Sequence, residues 1–395
     1  MRVALVGQTY LPSTNGPAVF TTNLAEALAA CGHEVLAVIP APDGRPGSER
    51  RHGVELRALP AIVSKRAGVA VTAFPNRRVG RLLDAFAPDV VHIQDHYPTS
   101  RAVLAESRRR GLAVVGTNHF IPGNMALQLP LPRMAHGAVE AVLWWTVRAV
   151  FGRLDLATAP SETAARLLRE RIPDLDVRAI SCGVDVGRFR PRTAEERRAL
   201  RARLDLPENG VVVLYVGRLD RDKNLELLLE ALTRAPDVDR LMVAGKGLHM
   251  QALIQRARRL GLAERVRFTG YVPDDVLPEL YAASDLFVMP SSVELLSIAT
   301  LEAMATGLPV AAARAGALPE LVTTGTHGAL FDPRDAADAG AALQGLATAR
   351  ERWGKLGRAA RIRAEEHRLE RTRERFEALY AEAAAGTRTL ITELS

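Results

Sequence analysis

Cysteine is nearly absent from this sequence: Cys31 and Cys182 stand far apart, and neither belongs to a CxxC or Cys/His spacing. A disulfide framework and a cysteine-based zinc site are therefore excluded, and both thiols are expected to be inert. Long apolar runs are also missing. The longest, Ala138 to Phe151, is interrupted by Glu140 and Arg148, well short of the roughly 20 clean residues that a spanning helix needs. The start, MRVALVGQTY, enters an apolar strand-like run with no charged region, apolar core or small-residue cleavage site before it. No signal peptide is expected, and the predicted location is cytoplasmic. Lysine is scarce as well, at 4 of 52 basic residues.

The arginine excess gives a formal net charge of +7. Neither a basic recognition motif nor an aromatic-interleaved patch accompanies it, so no nucleic-acid partner is expected. The excess is one-sided, with 21 basic against 15 acidic residues in 1–182 and 31 against 30 in 183–395. An anionic partner, or peripheral contact with an anionic membrane, is expected on the N-terminal half. Trp144 and Trp145 lie there in a basic, apolar stretch from Arg133 to Arg153, and adjacent tryptophans in a helix more often pack in a core than lie at an interface.

Short apolar runs alternate with helical patterns along the chain, as at Val3–Gly7, Val35–Ile39, Val90–Ile93, Val211–Val216, Leu286–Met289 and Val310–Ala313. This alternation predicts α/β architecture with parallel sheets covered by helices. Asp89 precedes one strand and Gly111 the next, and Asp285 and Gly307 repeat that 22-residue interval. Two doubly wound, Rossmann-like halves follow: an acceptor domain at 1–182, a donor domain at 183–367, and a crossing-back helix at 368–395. A ligand then belongs in a cleft at the carboxyl ends of the strands.

The richest segment is PSSVELLSIATLEAMATGLPVAAA, Pro290 to Ala313. Ser297 is a plausible N-cap, Gly307 ends the helix, and Pro309 prevents its continuation. The backbone N–H groups of Leu296, Ser297 and Ile298 then form an anion site at a positive helix end. Glu294 before the helix and Glu302 in its second turn suit sugar hydroxyls, which donate to ionised acceptors.

The spacing of these two glutamates resembles the Glu-x7-Glu signature of family 4 retaining glycosyltransferases, and VGRLDRDKN, Val216 to Asn224, resembles that family's stretch after the first strand of its second domain. The closest motif likeness is to bacterial glycolipid-type members. The resemblance implies the GT-B fold and a metal-independent hexosyltransferase with no cofactor. Arg218 and Lys223 would hold the donor diphosphate, Glu302 the ribose and Glu294 the sugar. GQTYLPSTNGPAVF, Gly7 to Phe20, resembles the family's glycine loop, with Gly16 near the donor sugar and Asn15 where a glycine is common. His119, in Thr117-Asn118-His119-Phe120, would lie over the sugar, and Phe120 in place of the usual Asp resembles glycolipid-forming members. Gln94, Asp95, His96 and Asn118, at strand ends, are candidates to face the acceptor.

The resemblance implies transfer from a UDP-sugar, with a GDP-sugar next, to a lipid or polyprenyl-type hydroxyl. A natural-product aglycone or amino sugar is the alternative acceptor, and a non-catalytic sugar-binding protein is the reading from another class. Three DxD triplets, at Asp174, Asp220 and Asp237, invoke the metal site of another glycosyltransferase architecture, but fixed cations around the second replace a metal. No GxGxxG follows a strand, which excludes a nicotinamide-dependent oxidoreductase.

Overall fold

A computed structural model describes residues 1–11, 15–64, 69–72, 75–123, 133–154 and 156–394. The chain forms two compact units, Met1–Cys182 with Leu369–Ser395, and Gly183–Arg368.

The first unit holds strands β1 (Arg2–Val6), β2 (Glu34–Pro40), β3 (Gly47–Arg51), β4 (Val54–Leu59), β5 (Ala61–Ser64), β6 (Val69–Thr72), β7 (Val90–Ile93), β8 (Ala113–Thr117), β9 (Leu156–Ala159) and β10 (Asp176–Ala179). Eight of them form one sheet in the order β10-β9-β8-β7-β1-β2-β4-β3, parallel except for β3 at its edge, while β5 and β6 form a separate hairpin. The inner strands are apolar at almost every position because helices cover both faces, which removes the alternation of a half-exposed sheet. Helix Leu369–Leu394 belongs to this unit and buries Phe376, Leu379 and Tyr380. Each such side chain contributes about 1.5–3 kcal/mol on burial, which explains why this terminal segment docks.

In the second unit, β11 (Val212–Val216), β12 (Arg240–Ala244), β13 (Val266–Gly270), β14 (Leu286–Met289), β15 (Val310–Ala313) and β16 (Gly328–Phe331) form a parallel sheet, ordered β13-β12-β11-β14-β15-β16. Its core is continuous from Val211 through Leu286 to Ala364.

The repeated Asp-to-Gly interval has a structural counterpart. Asp89 accepts the Arg2 N–H at 2.7 Å at the entry to β1, and Asp285 accepts the Val212 N–H at 2.8 Å at the entry to β11. In both units this aspartate ties the start of one strand to its neighbour. Gly111 and Gly307 take positive φ, +63° and +82°, where a helix hands over to a strand.

Candidate active site

In the second unit, β11 and β14 are parallel neighbours, with Val213 beside Leu286 and Leu214 beside Phe287. The loops leaving their carboxyl ends therefore emerge side by side, at the point where strand order reverses. Lys223, from the loop after β11, places Nζ 2.7 Å from Glu294 Oε1 in the loop after β14, and 3.8 Å from Asp222 Oδ2. Arg218 donates to Asp220 and, at 3.1 Å, to Asp222. Two cations and three carboxylates thus share one half-buried patch. The Asp220-Arg221-Asp222 triplet turns one oxygen of each carboxylate to these cations, while Asp220 Oδ1 accepts from Leu248 N–H and Asp222 Oδ1 is buried without a hydrogen-bond partner among the described residues.

The Glu294 loop is held from behind. Ala317 N–H donates to the Glu294 carbonyl at 2.9 Å, and a Cβ on Gly316, at φ +56°, would fall 2.4 Å from that carbonyl oxygen. Gly316→Ala is expected to destabilise the protein by about 1–3 kcal/mol through strain at this position, which a lowered Tm would register; an unchanged Tm refutes the fit. Gly247 does comparable packing, since its Cβ would meet the Leu219 backbone at 2.3 Å. The Gly245-Lys246-Gly247 loop thereby lies against the loop carrying Arg218, and Leu219 N–H donates to the Lys246 carbonyl at 2.9 Å.

Helix Ile298–Ala305 starts where its cap requires: Ser297 Oγ accepts from Thr300 N–H at 3.2 Å. The N–H groups of Leu296, Ser297 and Ile298 find no acceptor among the described residues, as expected of a first turn. Glu302 is 9 % exposed and accepts from the Tyr281 hydroxyl at 2.8 Å. Burial pushes its carboxyl up to about 7, against the opposing hydrogen bond from Tyr281. This differs from the ionised acceptor anticipated above, because a buried carboxylate loses hydration that one neutral hydroxyl does not replace.

In the first unit, β1, β7 and β8 are adjacent and parallel, so their loops converge. His119 donates from Nε2 to Gln94 Oε1 at 3.0 Å and packs 4.8 Å from the Phe20 ring. Burial lowers its pKa to about 3, which keeps the imidazole neutral. Behind it, the Gln94 amide nitrogen lies 3.2 Å from His92 Nε2, the other His92 nitrogen lies 2.7 Å from the Tyr380 hydroxyl, and Thr117 Oγ1 completes the chain at 2.7 Å from Nε2. The terminal helix is thus linked to the His119 position through buried polar groups.

The other strand-end residues make local contacts, although His96 Nδ1 is buried without a hydrogen-bond partner among the described residues. Asp95 Oδ1 accepts from Tyr97 N–H at 2.9 Å and Ser100 Oγ at 2.7 Å. His96 is buried between the rings of Tyr97 and Phe120. Asn118 is buried too, and its amide closes on the Phe120 backbone. Gly16 is the first residue of helix Gly16–Ala30, capped by Asn15, and a Cβ there would meet open space, so the fold itself does not require glycine. A cavity of about 430 Å³ lies beside these loops, with Gln8, Tyr10, Asn15, Gln94, His119 and Phe120 among its walls. The tryptophan pair divides: Trp144 is buried, donating to Glu140, while Trp145 is exposed. Adjacent helical positions point about 100° apart, so both cannot enter one core.

Sequence reasoning missed Tyr281, Gly316 and the His92–Tyr380 pair. Phe376, Leu379 and Tyr380 stand at the spacing of one helix face, but nothing in that spacing identifies the partner of the Tyr380 hydroxyl.

The model of glycosyltransferase family 4 matches residues 14–188, and that of glycosyl transferases group 1 matches residues 196–363. A GDP-mannose-dependent alpha-mannosyltransferase of Mycobacterium tuberculosis is 32 % identical over 84 % of each chain. A D-inositol 3-phosphate glycosyltransferase of Salinispora tropica is 34 % identical, over 78 % of this chain and 66 % of its own. The structure of sucrose-phosphate synthase from Thermosynechococcus elongatus superposes with a TM-score of 0.80 at 23 % identity, covering 98 % of this chain and 100 % of that one. The molecule has the GT-B fold of two Rossmann-like domains and is a hexosyltransferase that uses a nucleotide sugar, which sets aside the non-catalytic reading. The chain belongs to glycosyltransferase family 4.

Proposed function

We propose that the enzyme transfers a hexose, with retention of anomeric configuration, from a nucleoside-diphosphate sugar to a hydroxyl of a lipid or polyprenyl-type acceptor at the cytoplasmic face of a membrane. The observation that carries the donor half is the patch at the ends of β11 and β14, where Arg218, Lys223 and the free N–H groups of Leu296 to Ile298 offer positive charge beside two glutamates. As the anomeric C–O bond breaks, its electron pair moves onto the β-phosphate. The cations stabilise that charge where it develops. The acceptor oxygen bonds to the anomeric carbon from the same face, and its proton passes to the departing phosphate oxygen. In the second unit Glu302 holds the ribose and Glu294 the sugar; in the first unit Gln94, Asp95, His96 and Asn118 serve the acceptor, with neutral His119 and Gly16 beside them.

The relative named for GDP-mannose, similar over most of both chains, moves GDP-mannose ahead of the UDP-sugars that the motifs favoured. A thermal-shift screen against UDP-, GDP- and ADP-sugars tests this, since a ligand that binds the native state raises Tm. No shift with any of them removes the donor reading. The relative named for D-inositol 3-phosphate supports a second reading, a small soluble acceptor. Fixed cations make a metal unnecessary in this reading, and activity is expected to survive excess EDTA; loss restored by Mn²⁺ or Mg²⁺ would return the DxD triplet to consideration.

A further inference from the structure

The outward face of helix Arg133–Phe151 breaks the usual rule for a surface helix. Its exposed positions are Met134, Gly137, Ala138, Ala141, Val142, Trp145 and Arg148, which recur at spacings of three and four along four turns. Such a face is ordinarily polar or charged, yet six of these seven residues are uncharged and without a polar side chain other than the indole N–H. Met134 is 95 % exposed, Val142 61 % and Trp145 65 %. The opposite face, with Trp144, Val147, Val150 and Phe151, is buried, so the helix presents apolar surface in both directions.

Arginines gather at the carboxyl end of this stripe. Arg148 donates to the Arg171 carbonyl at 2.5 Å, and Arg108 donates to the Arg153 carbonyl. Among the described residues, no carboxylate lies within ion-pair distance of Arg108, Arg148 or Arg153. The segment from Pro98 to Arg153 holds seven basic residues against two acidic ones, so the positive excess of the first unit concentrates here. Positive charges without counter-charges favour an anionic partner that supplies them.

We propose that this face is the membrane-docking surface of the enzyme, lying in the plane of an anionic phospholipid bilayer with Met134, Val142 and Trp145 in the interface and Arg108, Arg148 and Arg153 over the headgroups. This deepens the membrane-surface reading above and rests on it. An apolar stripe, an exposed tryptophan and flanking arginines form the combination that binds anionic interfaces. No helix among the described residues is long and apolar enough to cross a membrane, which agrees with a helix lying on the surface. A second copy of the chain fits less well, because a two-fold contact would bring two copies of the same net-positive segment together.

The test is co-flotation of the full chain with vesicles of phosphatidylglycerol and phosphatidylcholine, compared with phosphatidylcholine alone, without donor or acceptor. Binding to the anionic vesicles is expected, weakened by salt, with a blue shift in tryptophan emission that Trp145→Phe removes. Val142→Asp and Arg148→Glu are each expected to lower the bound fraction several-fold. Both positions are exposed, and unchanged circular dichroism and Tm would show that the fold persists; should either variant unfold, Trp145→Ser takes its place. Equal binding to neutral vesicles, variants that bind as the wild type does, or a stripe-dependent dimer with no vesicle binding would each overturn the proposal. Donor-dependent thermal stabilisation is expected to be the same in these variants, so failure here is distinguishable from failure of the transferase reading.

Discussion

Lys223→Ala is expected to reduce kcat by roughly ten-fold to a few hundred-fold, equivalent to about 1.5–3 kcal/mol of lost charge-assisted stabilisation. Its ammonium stands in the loop after β11, part-buried, 2.7 Å from Glu294. The β-phosphate gains negative charge as the glycosidic bond breaks, so a cation beside it acts more strongly on the transition state than on the bound donor. Affinity for the donor should fall less than kcat. Removal of Lys223 also leaves Glu294 without its counter-charge next to the diphosphate, which adds to the loss. Lys223→Arg should recover part of the rate, because a planar guanidinium approaches a phosphate in a different geometry from a rotating ammonium. Steady-state kinetics at saturating donor decide the matter: a kcat within two-fold of wild type removes Lys223 from the diphosphate site.

Glu302→Ala is expected to weaken binding of the free nucleotide by roughly ten-fold to a hundred-fold, the value of a hydrogen bond to a charged group. The environment of Glu302 adds a pH dependence. Its carboxyl is held up to about 7 by burial, so below that pH it is protonated in the free enzyme. If the bound ribose hydroxyl donates to the carboxylate, binding favours the ionised form and releases a proton. Nucleotide affinity should then rise with pH through 7, by about ten-fold between pH 6 and 8 for one group titrating near 7. Stability moves the other way: the raised value favours the folded state at low pH, and that contribution is lost as pH rises through about 7. Isothermal titration at three pH values tests the affinity, and Tm over the same range tests the stability. Glu302→Gln should bind more weakly and flatten the pH profile, and a profile that persists in Glu302→Gln assigns the titration elsewhere.

The architecture was legible because a buried parallel strand needs an apolar run, and a covering helix needs a 3.6-residue period. Both are local. The Asp89 and Asp285 repeat was legible as an interval, whereas its cause, a carboxylate tying two strand starts together in each unit, exists only in the folded sheet. Ser297 and the helix start at Ile298 were legible because capping depends on a span of four residues, here Ser297 to Thr300. Glu302 was legible as to place, whereas its protonation was not. Burial is a property of everything packed around the carboxyl, including Tyr281 twenty-one residues away.

What the sequence determined by itself about this protein is therefore the alternation of its main strands and helices, its two doubly wound halves, and the residue types that each strand-end loop carries. Tertiary structure decided which of those loops meet. Lys223 and Glu294 lie 71 residues apart and pair because β11 and β14 are neighbours in the sheet. His92 and Tyr380, 288 residues apart, bond because the terminal helix docks on the first unit. Trp144 turned inward and Trp145 outward because one helix face met the core. Adjacency in a sheet and the choice of buried face come from hydrogen-bond pairing and apolar packing between distant segments, which local patterns of residues do not encode.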